Sequence, residues 1–167
     1  MKATAKETSR RSRPRQAAAA PAPRLCLSVQ YAADDDELPE RRQVRRWVRA
    51  CAPAAVQVTV RFVDEEEGRR LNHDFRGKDY PTNVLSFSYV PPPALAGDLV
   101  VCAPVARREA QEQGKAFEAH FAHLIVHGML HLQGFDHENE SDAAAMEERE
   151  RETMARLKFP DPYAGEA

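Results

Sequence analysis

Two stretches of the chain, 25–31 and 56–63, alternate apolar and polar residues, which is the pattern of a β-strand with one buried face. Segments 82–89 and 98–102 predict a third and a fourth strand, and the short spacing between them favours antiparallel pairing. A loop with three consecutive prolines, 91–93, separates this pair. The pattern therefore predicts one four-stranded sheet.

The segments around these strands have helical spacing instead. In 39–51 the apolar side chains recur at i, i+3, i+4 and i+7, and arginines occupy the opposite side. These arginines form either a solvated face or a surface that contacts phosphates, since guanidinium groups match phosphate oxygens. Further helices are predicted at 64–76, 104–113 and 142–157, the last with an outer face rich in glutamate, for which we expect no contact with RNA.

The segment 121–132 predicts the central helix of the domain. Every residue in it is apolar or small except histidine, a composition typical of a helix buried on nearly all sides. The order of elements predicts an α+β fold, a single four-stranded mixed β-sheet packed on one face by helices, with this buried central helix carrying the histidines. Gly134 is well placed to end the helix and turn the chain back.

Charge divides the chain into two regions. Residues 1–24 hold seven basic residues and one acidic residue, with little that could form a core, so we predict a disordered basic tail. The tail is interpreted as a solvated segment, an RNA-contacting arm or an organellar transit peptide. The remaining 25–167 has 17 basic and 25 acidic residues and the size of one domain, so any basic surface for RNA must be local.

The composition also excludes several classes of protein. No apolar run approaches the length needed to cross a membrane, and the start of the chain has no apolar region for secretion. The three cysteines, Cys26, Cys51 and Cys102, lie far apart and are odd in number, which is typical of free thiols in a reducing compartment. We therefore expect a cytoplasmic protein without a membrane partner.

Histidines supply the candidate chemistry. His127 and His131 lie four residues apart, on one face of the predicted helix, which is the spacing by which two imidazoles bind one metal ion. His137, just past the glycine break, would be a third ligand, and three ligands leave the open position of a catalytic zinc site. The alternative is that these are core histidines satisfied by backbone carbonyls. His120 and His123 share the helical face and are interpreted as packing or outer-layer residues.

The residue after the first histidine separates this site from a zincin protease. In those enzymes the residue is the glutamate of HExxH, which serves as general base, whereas here it is Gly128. Peptide hydrolysis by that route therefore lacks its base. Asp136 is the nearest carboxylate, expected to orient a histidine, and Glu138 is a weaker candidate for either role.

The sequence HGMLHLQGFDH at 127–137 resembles the HGxLHLxGxDH signature of the YbeY family, bacterial metal-dependent endoribonucleases that act in ribosomal RNA maturation. Two further blocks agree with the family, LNHDFRGKDYPTNVLSF at 71–87 and GDLVV at 97–101. The matching blocks follow the family's order between about residues 64 and 137.

The resemblance implies specific roles for residues. It makes Arg76, which alone would be a surface arginine, a catalytic residue together with His127 and His131, and it makes His127, His131 and His137 the metal ligands. Bound zinc would activate water and polarise a phosphoryl oxygen, while Arg76 would stabilise the charge on the phosphate. Nickel or another divalent ion also suits imidazole ligands. Asn83 stands where many relatives have aspartate, which puts the role of a carboxylate there in doubt.

The function implied is that of a zinc-dependent single-strand endoribonuclease acting in ribosomal RNA processing, namely 3′-end maturation of small-subunit rRNA, and in ribosome quality control. Its partners would be ribosomal RNA and the small subunit with its proteins, and no DNA is expected. The nucleophile is either activated water or a ribose 2′-hydroxyl. The alternative function is a ribosome-assembly or RNA-binding factor with a mainly structural metal.

Overall fold

The computed structural model describes residues 24–52, 55–90 and 94–165. The predicted proline loop at 91–93 lies outside the described residues, as does the predicted basic tail up to residue 23. Among the helices that the structure describes, none is long and apolar enough to cross a membrane.

The sheet has four strands in the order β1-β2-β4-β3. The strands are β1 Leu25–Tyr31, β2 Ala55–Val63, β3 Val84–Val90 and β4 Ala94–Cys102. β2 pairs in parallel with both β1 and β4, while β3 pairs antiparallel with β4 and forms one edge of the sheet. The predicted mixed sheet and the antiparallel third and fourth strands are confirmed. β4 begins four residues before the predicted 98 because its first residues pair with β2.

Five helices are described besides the sheet. They are α1 Arg41–Cys51, α2 Glu65–Arg76, α3 Ala103–Glu112, α4 Phe117–Leu132 and α5 Glu140–Arg156. α4 begins four residues before the predicted 121, because Ala116 has an extended backbone and its carbonyl accepts the first helical bond, from the N–H of His120. The predicted α+β fold class is confirmed.

The main core lies between one face of the sheet and helices α1, α4 and α5. Alternate residues of β2, from Val56 to Phe62, point into it, and Trp47 of α1 fills it from the helical side. Ten of the sixteen residues of α4 are buried, as expected for a helix covered on nearly all sides. The rigid backbone of α4 therefore fixes the positions of its histidines.

The other face of the sheet is also covered, which differs from the prediction of helices on one face only. Val63, Leu85, Val100 and Cys102 form a second, smaller cluster there, and Leu71 of α2 packs against it. The prediction was wrong because the apolar side of α2 is short, so its sequence does not show which face it covers. This position brings the C-terminal end of α2 to the edge strand β3.

Candidate metal centre

Two histidines of helix α4 line one cleft of the protein. His127 and His131 lie one turn apart near its C-terminal end, and their ring centroids are 4.6 Å apart. The chain then reverses at Gly134, whose φ of 95° is a left-handed conformation that glycine adopts without strain. The reversal brings the ring of His137 to 5.8 Å from His127 and 5.0 Å from His131.

Hydrogen bonds fix which nitrogen of each helical histidine faces the opening. The Nδ1 of His127 lies 2.5 Å from Glu150 Oε1, and the Nδ1 of His131 lies 3.0 Å from the carbonyl oxygen of Phe135. Both acceptors are oxygens, so each Nδ1 donates and each Nε2 carries a lone pair. Those two Nε2 atoms are 3.0 Å apart.

This geometry fits a metal ion. Two lone pairs that face each other at 3.0 Å repel, and a cation between them removes the repulsion. Two ligands of a tetrahedral zinc with bonds of about 2.0–2.1 Å stand roughly 3.3 Å apart, close to the observed separation. One nitrogen from each of His127, His131 and His137 lies within 4.8 Å of the others.

The electrostatics also favour a neutral, ligand-competent His131. Burial lowers the pKa of His131, and the neighbouring His127 and His137 lower it further, against the opposing effect of the Phe135 carbonyl. A neutral imidazole offers a lone pair, whereas a protonated one does not. His131 is therefore held in the form that binds metal.

Glu150 orients His127, and sequence reasoning missed it. This carboxylate on α5 is fully buried and contacts His127, the hydroxyl of Tyr163 and, at 3.4 Å, the Nε2 of His123. Burial raises its pKa, but these polar contacts outweigh burial and hold the pKa at about 2. The sequence did contain a signal, because Glu150 lies midway between Met146 and Met154 on the apolar face of its helix.

Asp136 does not have the expected role. Its Oδ1 accepts from the backbone N–H of His137 at 2.7 Å, so within the described ranges it holds the turn rather than a histidine ring. The orienting carboxylate comes instead from a distant helix. Glu138, the other carboxylate considered, lines the same opening.

Arg76 lines the same cleft as the histidines. The cleft has a volume of about 810 Å³ and is lined by Arg76, the three histidines and residues 82–88 at the edge of the sheet. Gly77, with φ of 68°, ends α2 directly after Arg76. Arg76 makes no hydrogen bond or ion pair with any described residue, so its guanidinium is available to an anion.

Asn83 lines this cleft, and its side chain forms a hydrogen bond with the backbone. Its Oδ1 accepts from the N–H of Val84 at 2.7 Å, and its Nδ2 donates to Glu109 Oε2 at 3.2 Å. The amide therefore supplies a donor that an aspartate lacks. In this chain the position holds the start of β3 against α3.

His120 is buried and His123 is partly buried, and neither belongs to the three-histidine group. The Nε2 of His120 lies 3.6 Å from a carboxylate oxygen of Glu109, and the Nε2 of His123 lies 3.4 Å from one of Glu150. His123, His127 and Glu150 also lie close enough to form a ligand group. The 2.5 Å between His127 and Glu150 is too short for two ligands of one zinc, which indicates a hydrogen bond instead.

A mixed-sheet α+β domain with three histidines and an unpaired arginine in one cleft has the arrangement of a metal-dependent hydrolase. Comparison with known proteins gives the family. The family model described as Endoribonuclease YbeY matches residues 30–158. The chain belongs to the YbeY family of endoribonucleases, which confirms the resemblance seen in its motifs and the predicted class of enzyme.

Similar proteins cover nearly the whole domain. The chain is 54% identical over 144 residues to Endoribonuclease YbeY of Methylobacillus flagellatus, covering 86% of this chain and 97% of that protein. It is 56% identical to Endoribonuclease YbeY of Aromatoleum aromaticum, covering 84% and 94%. A solution structure of a Thermotoga maritima protein, 26% identical, superposes with a TM-score of 0.54 over 84% of this chain and 99% of the other.

Proposed function

We propose that this chain is a zinc-dependent endoribonuclease that cleaves single-stranded regions of ribosomal RNA. The observation that carries the proposal is the pair of Nε2 atoms of His127 and His131, which face each other at 3.0 Å in the cleft that also holds Arg76. The relatives at 54% and 56% identity are named as endoribonucleases, which supports the same activity here.

His127, His131 and His137 would hold the zinc ion, through three neutral nitrogens. When bound by three imidazoles, zinc would keep its double positive charge and would supply Lewis acidity toward water and a phosphoryl oxygen. Another divalent ion such as nickel also suits imidazole ligands. Glu150 holds the proton of His127 at Nδ1, and the Phe135 carbonyl does the same for His131.

Arg76 would bind the phosphate. A guanidinium with no partner among the described side chains, in the same cleft as the histidines, is placed to stabilise negative charge that develops on the scissile phosphate. Thus the residues proposed as catalytic are Arg76, His127 and His131. The scissile phosphate would then lie between the arginine and the histidines.

The finer parts of the function rest on the family. We place the activity in 3′-end maturation of small-subunit rRNA and in ribosome quality control, with the small subunit and its proteins as partners, in the cytoplasm. Residues 25–167 would form the single catalytic domain, and 1–24 an appended basic tail. No DNA substrate is expected.

The test is cleavage of a partly single-stranded ribosomal RNA fragment by the purified full-length chain. The comparison includes a chelated sample, the same sample with zinc restored, and His131→Ala. His73→Ala is the matched control, because His73 is an exposed histidine that does not line the cleft. We expect chelation and His131→Ala to abolish cleavage, zinc to restore it, and His73→Ala to cleave normally.

Circular dichroism and melting temperature accompany each sample. Equal cleavage by all samples would contradict the proposal and identify a contaminant. If no sample cleaves, and His131→Ala only lowers the melting temperature, the chain is instead an assembly factor with a structural metal.

A further inference from the structure

An exposed phenylalanine lies in the proposed catalytic cleft. Phe75, in the last turn of α2, is 65% exposed, although it follows Leu71 by one helical turn on the side that packs against the sheet. A single exposed apolar residue is ordinary on a protein surface. Phe75 differs because its ring lines the same cleft as Arg76 and the three histidines.

The ring of Phe75 packs against another aromatic ring. It contacts Phe87 of β3 edge to face, with centroids 5.0 Å apart and planes inclined by 65°. Phe87 is half-buried and packs against the second cluster, so it anchors the contact. One side of Phe75 is therefore packed while the rest of the ring faces the opening.

The backbone that carries Phe75 is also held in place. Asn72, fully buried, donates to the carbonyl of Tyr80 at 2.7 Å, and Arg69 forms two hydrogen bonds with Asp79 at 2.8 and 2.9 Å. These contacts fasten the segment after α2 to the helix itself. A ring fixed in this way loses little conformational entropy when a ligand stacks on it.

We propose that Phe75 is a stacking platform for one unpaired nucleobase of the RNA strand in the cleft. Aromatic side chains bind unpaired bases of any sequence, because every base has a flat π-face. The next residue, Arg76, is turned by about 100° around the helix and offers a partner for phosphate. Together the two residues match the two parts of a nucleotide, a flat base and an anionic backbone.

The proposal rests on the proposed function, since it takes RNA as the occupant of the cleft. An apolar peptide would also cover Phe75, but it offers no anion to the guanidinium of Arg76. RNA offers a base face to Phe75 and a phosphate to Arg76. The platform would select single-stranded segments, because a paired base is stacked within its own helix and does not offer its face.

The test uses single-stranded RNA with the fluorescent base 2-aminopurine at successive positions, mixed with the zinc-loaded chain and, separately, with the chelated chain. We expect quenching at one position in both samples, because stacking does not need the metal. Phe75→Ala should lose the quenching and bind RNA about 5- to 100-fold more weakly, whereas Phe75→Trp should retain both.

Two further variants separate loss of stacking from loss of folding and provide a matched control. Phe75→Leu preserves an apolar contact with Phe87 but has no π-face, so loss of quenching in this variant, with an unchanged melting temperature, separates stacking from folding. Tyr80→Ala is the matched control, because Tyr80 is 55% exposed and does not line the cleft. It should bind and quench normally.

An abasic nucleotide at the quenched position provides the final comparison. It should weaken binding to the native chain but not to Phe75→Ala, since both changes remove the same contact. Native quenching and affinity in Phe75→Ala, or equal sensitivity of both proteins to the abasic site, would overturn the proposal. Quenching without cleavage in every sample would leave the platform standing and refute the endoribonuclease.

Discussion

At the scale of single residues, the site depends on a carboxylate that the motif does not contain. In sequence, Asp136 is nine residues from His127 and five from His131, whereas Glu150 is 23 and 19 residues away from them. Yet the carboxylate of Asp136 bonds to the backbone, and Glu150 holds the His127 ring. A hydrogen bond depends on where a side chain points in space, so nearness in sequence was a poor guide.

Replacing Glu150 by glutamine tests its positioning role. The amide has the same shape but no charge, so it holds Nδ1–H of His127 less strongly, and we expect zinc affinity to fall about 10- to 100-fold. Competition with a zinc-binding dye measures the change. Glu148→Gln, an exposed glutamate on the same helix, is the control. Native zinc affinity in Glu150→Gln would mean that the contact has no effect on the ligand.

At the scale of secondary-structure elements, the cleft depends on close packing between α4 and the sheet. A side chain at Gly97 of β4 would place its Cβ 2.6 Å from the carbonyl oxygen of Phe87 and 2.7 Å from a methyl of Leu132. At Gly128 of α4 a Cβ would come within 2.8 Å of Leu99. These two glycines allow the histidine helix and the edge strand β3 to approach the positions they occupy.

Gly97→Ala should therefore destabilise the fold. The backbone of β3 must shift to relieve the clash, and we expect the free energy of unfolding to fall by about 1–3 kcal/mol. Urea denaturation measures it. Ser88→Ala is the control, because Ser88 is the exposed partner of Gly97 across the strand pair. A native urea midpoint in Gly97→Ala would show that the contact is loose.

At the scale of the whole molecule, an ion pair joins distant parts of the chain. Arg107 of α3 donates to both carboxylate oxygens of Asp35, in the segment after β1, at 2.5 and 2.7 Å. Burial raises the pKa of Asp35, but the hydrogen bonds from Arg107 and from the backbone outweigh it, so the pKa lies below its usual value. The folded state therefore favours the ionised carboxylate.

This pair predicts a pH dependence of stability. The pKa of Asp35 is about 4 in the unfolded chain and lower in the folded protein, so the ion pair stabilises the fold at pH values above about 4. This stabilisation is lost as the pH falls through the pKa of the folded state. Asp35→Asn should cost about 1–3 kcal/mol near neutral pH and progressively less below pH 4. Urea denaturation across this range measures the difference, with the exposed Asp36→Asn as control. A difference that does not vary with pH would contradict the electrostatic explanation.

The basic tail predicts how the whole chain binds RNA. Deletion of residues 1–23 removes six basic residues, so we expect weaker binding to single-stranded RNA. The slope of the logarithm of the binding constant against the logarithm of the salt concentration should become shallower by up to about four. Binding measured at several salt concentrations gives the slope. A second variant, with those six residues replaced by glutamine, separates charge from length. Unchanged binding in both would remove the tail from RNA recognition.

The sequence by itself determined what depends on neighbouring residues. Alternation along 56–63 specified a strand with one buried face. The apolar run around His127 and His131 specified a buried helix with both rings on one face. Both patterns can be read locally because the strand pleat and the helical turn repeat over a few residues. Only the tertiary structure decided which distant groups meet. It brought Glu150 to His127 across 23 positions and Phe75 into the cleft, because those contacts depend on the packing of separate elements, which local periodicity does not encode.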